Sequence, residues 1–332
     1  MALAMGVMLH TGDLGMDALR GYAQEAEALG YEGFWVTEES GKEAFTVLAL
    51  AAQATRRIRL GTAIVSFYSR TPTLLAMAAS TVHRLSGGRF ALGIGTGGIG
   101  FMERGHGIAI ERPLGRARET VAIVRGLLTS RRFSYEGTWF RVRDFHLREG
   151  PIDGTLPIYL SALNPKMVGV AAQVADGFIA NWPTEEALAE FRSIIKREAG
   201  AAGRDPGDVK MLTLLMTCPE PGDDGAVNAM RRGLAFYCAS PHYHHIAEIS
   251  GFGREAREVK AAWDAGDFAR ASRMVNDAMV EKFSLTGSPE ACRQKLSSLL
   301  GAGVYPIIYP VPRRDRTMED HFEAIRLAAS YA

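Results

Sequence analysis

The sequence predicts an α/β fold: a (β/α)8 TIM barrel with a helical insertion after the seventh strand and a small β-hairpin insertion. Three observations predict it. Short apolar runs of the kind buried on both faces of a parallel sheet alternate with amphipathic helical stretches about eight times. Two such runs, Ile58 to Val65 and Phe90 to Ile94, end in ligand-facing chemistry, Ser66-Phe67-Tyr68-Ser69-Arg70 and Gly95-Thr96-Gly97-Gly98. The 332 residues are enough for one barrel with insertions. A doubly wound sheet is the alternative. No linker, repeat or low-complexity tract appears, so residues 1–332 read as one domain.

The elements follow in order. Met5 to Leu9 is the first strand and ends at His10, and Met16 to Leu29 is an amphipathic helix closed by Gly30. Gly33 to Thr37 is the second strand, running into Glu38-Glu39-Ser40, and Ala44 to Thr55 is the next helix. The third strand, Ile58 to Val65, precedes a helix with Pro72 in its first turn, where the missing N–H costs nothing. Phe90 to Ile94 is the fourth strand. Phe101 to Arg112 reads as irregular, Leu114 to Leu128 as helix, and Phe133–Tyr135 with Trp139–Val142 as a hairpin around Glu136-Gly137-Thr138. Pro157–Ser161, Gly177–Ala180 and Val209–Thr217 are strands five to seven, separated by helices over Lys166–Val174 and Thr184–Ala199. The insertion, about 226–282, holds helices over Arg254–Asp264 and Phe268–Ala278, the latter capped by Asp267. Pro289–Leu300, capped by Ser288, precedes the eighth strand, Tyr305–Tyr309, and Met318–Ala329 closes the chain.

Composition excludes several classes. The net charge is +1 and no basic stripe appears, which gives nucleic acid and membrane surfaces no handle. Three widely spaced cysteines form no disulfide framework or zinc pattern, so a cytoplasmic setting is expected. The first residues lack the pattern of a signal peptide, and no apolar run of about eighteen residues is present. The GxSxG, HExxH and GxxxxGK[ST] motifs are absent, so hydrolase and nucleotide-triphosphatase readings have no support.

Gly93-Ile94-Gly95-Thr96-Gly97-Gly98 matches GxGxxG, but after the fourth strand and without a clear helix behind it, which argues against a dinucleotide fingerprint. It reads either as a barrel-rim turn or as a surface on which a flat ring can approach the backbone. Ser161-Ala162-Leu163-Asn164-Pro165-Lys166-Met167 joins a strand to a helix, with Asn164 as cap and Pro165 as first helical residue. The helix terminus and Lys166 favour an anion, although an ordinary capped helix has the same look. Glu38 and Glu39 end the second strand, and at most one of them faces the barrel mouth. Either is a proton relay or a rim charge, and His10 is a pocket or rim histidine. His242, His244 and His245 lack the i, i+4 spacing of helical zinc motifs and read better, with Tyr237 and Tyr243, as a substrate-facing lid. No metal is expected.

The segments LGTAIVSFYSRTPTLLAMAASTV, VHRLSGGRFALGIGTGG and PIYLSALNPKMVGVAAQVADGFIANW resemble the bacterial luciferase-like superfamily. Together with FMERGHGIAIERPLGRARETVAIVRGLL, FSYEGTWFRV and FSLTGSPEACRQKLSSLLGAGV they are most similar to its coenzyme F420-dependent branch, which includes methylenetetrahydromethanopterin reductases. The resemblance implies a (β/α)8 barrel, often a homodimer, that holds a deazaflavin at its C-terminal face. It implies a non-proline cis peptide between Ala63 and Ile64 that supports the ring from behind. It places Thr96, Gly97 and Gly98 beside the ring, the cofactor phosphate at Ser161, Ala162, Leu163, Asn164, Pro165, Lys166 and Met167, and a cofactor contact at Glu38. Glu39 stands where a sugar-phosphate dehydrogenase of the group carries its catalytic histidine, and Gly98 replaces that enzyme's acid, so sugar-phosphate oxidation is not expected. The reductases carry TNPYTRHP where this chain reads VSFYSRTP, sharing Arg70 and Pro72. Reduction of an activated C=C, C=N or C=O of a small organic substrate by reduced F420 is the implied activity, with Glu39, His10 or Tyr68 as proton source. An FMN-dependent monooxygenase and a non-catalytic flavin-binding member are the alternatives.

Overall fold

The computed structural model describes residues 3–331 apart from 11, 13, 219–223 and 312–317. Eight parallel strands close into a barrel: β1 (Leu3–His10), β2 (Tyr31–Thr37), β3 (Arg59–Thr62), β4 (Phe90–Gly95), β5 (Ile158–Ser161), β6 (Gly177–Asn181), β7 (Lys210–Cys218) and β8 (Val304–Pro310). Each pairs with the next, and β8 returns to β1 through Gly6↔Ile307 and Val7↔Ile308. Full closure leaves no unpaired edge.

The interior is filled by Met8, Trp35, Ala63, Ala91, Tyr159, Ile179, Leu212 and Ile307. Trp35 fits only because three strands carry glycine where they face it. A Cβ would lie 2.5 Å from its ring at Gly6 and 2.6 Å at Gly33, and closer still at Gly61. The apolar outer faces of the strands are covered by the flanking helices in a second, larger core. Several helix entries follow the sequence chemistry: Thr71, Asn164, Thr184 and Ser288 each accept a hydrogen bond from the third residue beyond. Entry to β3 is pinned differently. The Glu27 carboxylate accepts the backbone N–H groups of Arg56, Arg57 and Ile58 at 2.6–3.2 Å.

The hairpin forms over Phe133–Glu136 and Arg141–Phe145. Buried Glu119, on the helix Pro113–Thr129, accepts the N–H groups of Thr138, Trp139 and Phe140 and ties the turn down. Two expectations need correction. The stretch 101–112 is not wholly irregular, because Phe101–Gly105 forms a π-turn. The helix expected over 268–278 stops at Met274. Val275 is extended, and Asn276 starts a new helix, Asp277–Phe283, by accepting Met279 N at 2.9 Å. After β7 the insertion comprises Asp224–Cys238, His244–Ile249, Gly253–Asp264, Phe268–Met274 and Asp277–Phe283. No helix among the described residues is long and apolar enough to cross a membrane.

Candidate functional site

The site is built where β3, β4 and β5 end. β3 stops at Thr62, the Ala63–Ile64 peptide bond is cis, and Val65–Ser66 resumes pairing with β4 through Val65↔Ile94 and Ser66↔Gly95. The break is held on both sides. Ala63 N–H donates to Val36 O at 2.8 Å, and Glu38 N–H donates to Ile64 O at 3.2 Å. The Thr62 hydroxyl donates to Gly93 O at 2.7 Å and accepts from Gly93 N at 2.8 Å. Ile64 projects against the interior cluster at the mouth end. A Cβ at Gly95 would lie 2.8 Å from Ser161 Cβ and 3.0 Å from Ile64 Cδ1, so glycine there lets the three strand ends meet. The turn beyond is fixed by Ser66 Oγ donating to Thr96 O at 2.9 Å. Gly97 adopts φ 76°, open to glycine at little cost, and the space on the side-chain side of Gly98 is empty out to Phe101 Cβ at 3.9 Å.

Glu38, expected as a cofactor contact, is also paired within the protein. Its carboxylate is engaged by the Arg70 guanidinium, at 2.7 and 3.3 Å, and by Ala44 N–H at 3.3 Å. Arg70 also meets Glu43 at 2.6 Å and lies 5.1 Å over the Phe45 ring. The pair is largely buried, with side-chain exposures of 17% for Arg70 and 12% for Glu38. Burial works against the Arg70 charge, but Glu38 and Glu43 outweigh it and raise its pKa. Glu38 thus locks the segment after β3 to the segment after β2, and its own N–H holds the Ile64 carbonyl, one peptide beyond the cis bond. Tyr68 packs on Phe67 and under Arg116, and its hydroxyl donates to Glu111 O at 2.6 Å.

One strand further round, β5 leads into the helix Pro165–Val174. Asn164 Oδ1 caps it by accepting Met167 N–H at 3.1 Å. Ser161, Leu163, Asn164 and Pro165 are half-buried, Ala162 and Met167 are buried, and Lys166 is exposed. First-turn N–H groups of a helix lack intrahelical partners, so this end presents donors and partial positive charge to the mouth.

On the opposite side, Glu39 is exposed at the rim. Its charge reaches Tyr237 and Tyr243 of the insertion. Tyr237 titrates far above its ordinary range because of burial first, then Tyr309, Tyr243 and Glu39. Tyr243 receives Asn181 Nδ2–H at 3.3 Å and packs on Trp182, the residue after β6, with ring centroids 4.8 Å apart. Trp182 stacks on Phe283 at 4.3 Å, which fastens the insertion to the barrel. His10 ends β1 opposite Thr37, and its side chain lies outside the described residues. The histidines of the insertion diverge: His244 meets Cys238 O and His245 meets Glu190. No cluster of metal-ligating side chains occurs among the described residues.

The sequence profile of the luciferase-like monooxygenases matches residues 3–305. The chain belongs to the luciferase-like monooxygenase family. It is 31% identical to a 5,10-methylenetetrahydromethanopterin reductase of Archaeoglobus fulgidus over 88% of both chains. A putative coenzyme F420-dependent oxidoreductase of Mycobacterium tuberculosis is 27% identical over 84% of this chain and 86% of the relative. Among solved structures, the coenzyme F420-dependent tetrahydromethanopterin reductase of Methanopyrus kandleri superposes with a TM-score of 0.84 at 25% identity, covering 100% of this chain and 99% of that one. An F420-dependent secondary alcohol dehydrogenase shares the fold, with a TM-score of 0.78 at 18% identity, 99% of each chain covered.

In this luciferase-like chain the bulge and the β4 turn expected from sequence come together with the Asn164 end of the helix. Sequence reasoning matched Arg70 without seeing its role. The one available signal was a lone cation in a strand-to-helix loop beside two acidic loops.

Proposed function

We propose that the chain is a coenzyme F420-dependent oxidoreductase that reduces a C=N, C=C or C=O bond of a small organic molecule. One juxtaposition carries the reading: the cis Ala63–Ile64 bulge meets the Gly95 strand end that leads into the Gly97-Gly98 turn, and the Asn164-capped helix opens one strand away. A flat ring needs a firm apolar back and a flank without side chains, and a phosphate needs unpaired N–H groups; these residues fit both demands. The likeness to the putative F420-dependent oxidoreductase at 27% identity and to the F420-dependent reductase structure at a TM-score of 0.84 supports the same cofactor.

Bound F420 supplies a ring carbon that gives or takes hydride. The chain's own part is placement. Ile64 backs the ring, Thr96 to Gly98 flank it, and the Glu38–Arg70 pair fixes the bulge through the Glu38 N–H. Asn164 orients the first helical turn toward the phosphate, and Lys166 adds charge beside it. Of the three proton sources expected from sequence, Tyr68 is committed to the Glu111 carbonyl, while Glu39 stands at the rim. A cytoplasmic homodimer belongs to the same reading. Leu74 and Met77, exposed on one face of the helix Pro72–Leu85, supply apolar surface for a second copy.

The test is anaerobic single turnover. Protein loaded with reduced F420 is mixed with C=N, C=C and C=O acceptors, and the return of oxidised-cofactor absorbance is followed. Hydride transfer to at least one acceptor is expected. Oxygen uptake with reduced FMN and no transfer from F420 would place the chain with the monooxygenases. Binding without any transfer would mark a silent member.

A further inference from the structure

Three phenols from three different elements converge on the barrel mouth. Tyr309 is the penultimate residue of β8 and, like Ile64 and Leu214, packs against the interior cluster. Tyr237 comes from the last turn of the helix Asp224–Cys238, and its hydroxyl is hydrogen-bonded to Tyr309. Tyr243 lies against Tyr237, with centroids 4.9 Å apart, and is held by Asn181. Tyr237, Tyr243 and Tyr309 are each half-buried. Glu39 is the carboxylate whose charge reaches Tyr237 and Tyr243.

We propose that Tyr309, backed by Tyr237, is the acid that completes reduction on the substrate side of the site. This rests on the F420-dependent reading above. Tyr309 shares the mouth-end layer with Ile64, which backs the ring, so a substrate lying on the ring meets the Tyr309 hydroxyl. Hydride adds to the electrophilic carbon of C=X, and the π pair moves onto X. X takes the phenolic proton of Tyr309, giving CH–XH and a phenolate. Tyr237 stabilises that phenolate by donating its own hydroxyl hydrogen, and solvent past Glu39 restores the lost proton. Tyr309 is the catalytic residue, and Tyr237 and Glu39 are positioning residues. A phenol is suited to the task because it is protonated at neutral pH.

The experiment uses full-length protein loaded with reduced F420, with 2-cyclohexenone, 1-pyrroline and cyclohexanone as acceptors. For Tyr309→Phe, kcat should fall about 100- to 1000-fold, the ordinary worth of a placed acid, with KM and F420 affinity within about threefold. Tyr237→Phe should move the alkaline limb of the kcat profile up, because without that donor the Tyr309 phenolate is less stable and the acid stays protonated to higher pH. A readout without cofactor is tyrosine ring-carbon NMR of the free protein. There Glu39→Gln should lower the titration midpoints of Tyr237 and Tyr243. Tyr309→Phe turning over like wild type, or a Tyr237→Phe limb that stays put or moves down, would overturn the role of the tyrosines while leaving the cofactor reading standing. Failure of the wild type to bind F420, or to transfer hydride to any of the three acceptors, would overturn both.

Discussion

Arg70→Met isolates the device that holds the bulge. The substitution keeps much of the apolar stem over Phe45 and removes the guanidinium. Glu38, with 12% of its side chain exposed, is then left with one long hydrogen bond, Ala44 N–H at 3.3 Å. Stranding one member of a buried pair costs about 3–5 kcal/mol, and the partial exposure here favours the lower figure of about 3. Unfolding entropy of about 2.1 cal/mol/K per residue over 332 residues gives about 0.7 kcal/mol/K. The expected loss in Tm is therefore about 4 °C by calorimetry. Glu38→Gln combined with Arg70→Met removes both charges and should recover at least half of that loss. Because Glu38 N–H holds the Ile64 carbonyl, Arg70→Met should also weaken F420 binding about tenfold. A Tm within 1 °C of wild type, or a double variant losing the sum of its parts, would refute the stranded-charge argument.

Two further outcomes follow from single residues. Asn164→Asp keeps a helix cap but sets a negative charge at the phosphate end, and should weaken F420 binding about tenfold by fluorescence titration while Tm holds; equal affinity would remove the phosphate from that helix. Burial alone would raise the Glu27 pKa, but three backbone N–H groups and Arg57 outweigh it and lower it. Its stabilisation is present above the unfolded carboxylate pKa and is lost as pH falls through the lower folded value. Glu27→Gln should accordingly destabilise at pH 7 and converge on wild type under acid, and an equal gap in Tm at pH 7 and pH 3 would contradict this.

The barrel was legible because period and punctuation agree. Apolar strands alternate with capped helices, and Thr71-Pro72, Asn164-Pro165 and Ser288-Pro289 mark helix starts by chemistry that acts within three residues. The bulge was legible only through resemblance, since nothing in Thr62-Ala63-Ile64 by itself requires a cis bond. Pairing of Arg70 with Glu38 spans 32 residues and depends on two loops meeting, which local pattern does not encode. The break at Val275 did have a signal, since Asn276-Asp277 is a helix start, but the apolar periodicity across it reads as one helix. Tyr309 was hidden for a similar reason. In a strand it looks like any core aromatic, and only the insertion, which brings up Tyr237, gives its hydroxyl a partner.

The central claim is that the bulge, the glycine turn and the Asn164 helix form one deazaflavin site. The most direct measurement is equilibrium binding of F420 and of FMN to the purified protein under argon, by fluorescence titration. The account predicts micromolar or tighter F420 binding, at least tenfold tighter than FMN, weakened together by Asn164→Asp and Arg70→Met. Tight FMN binding with no measurable F420 affinity would contradict it.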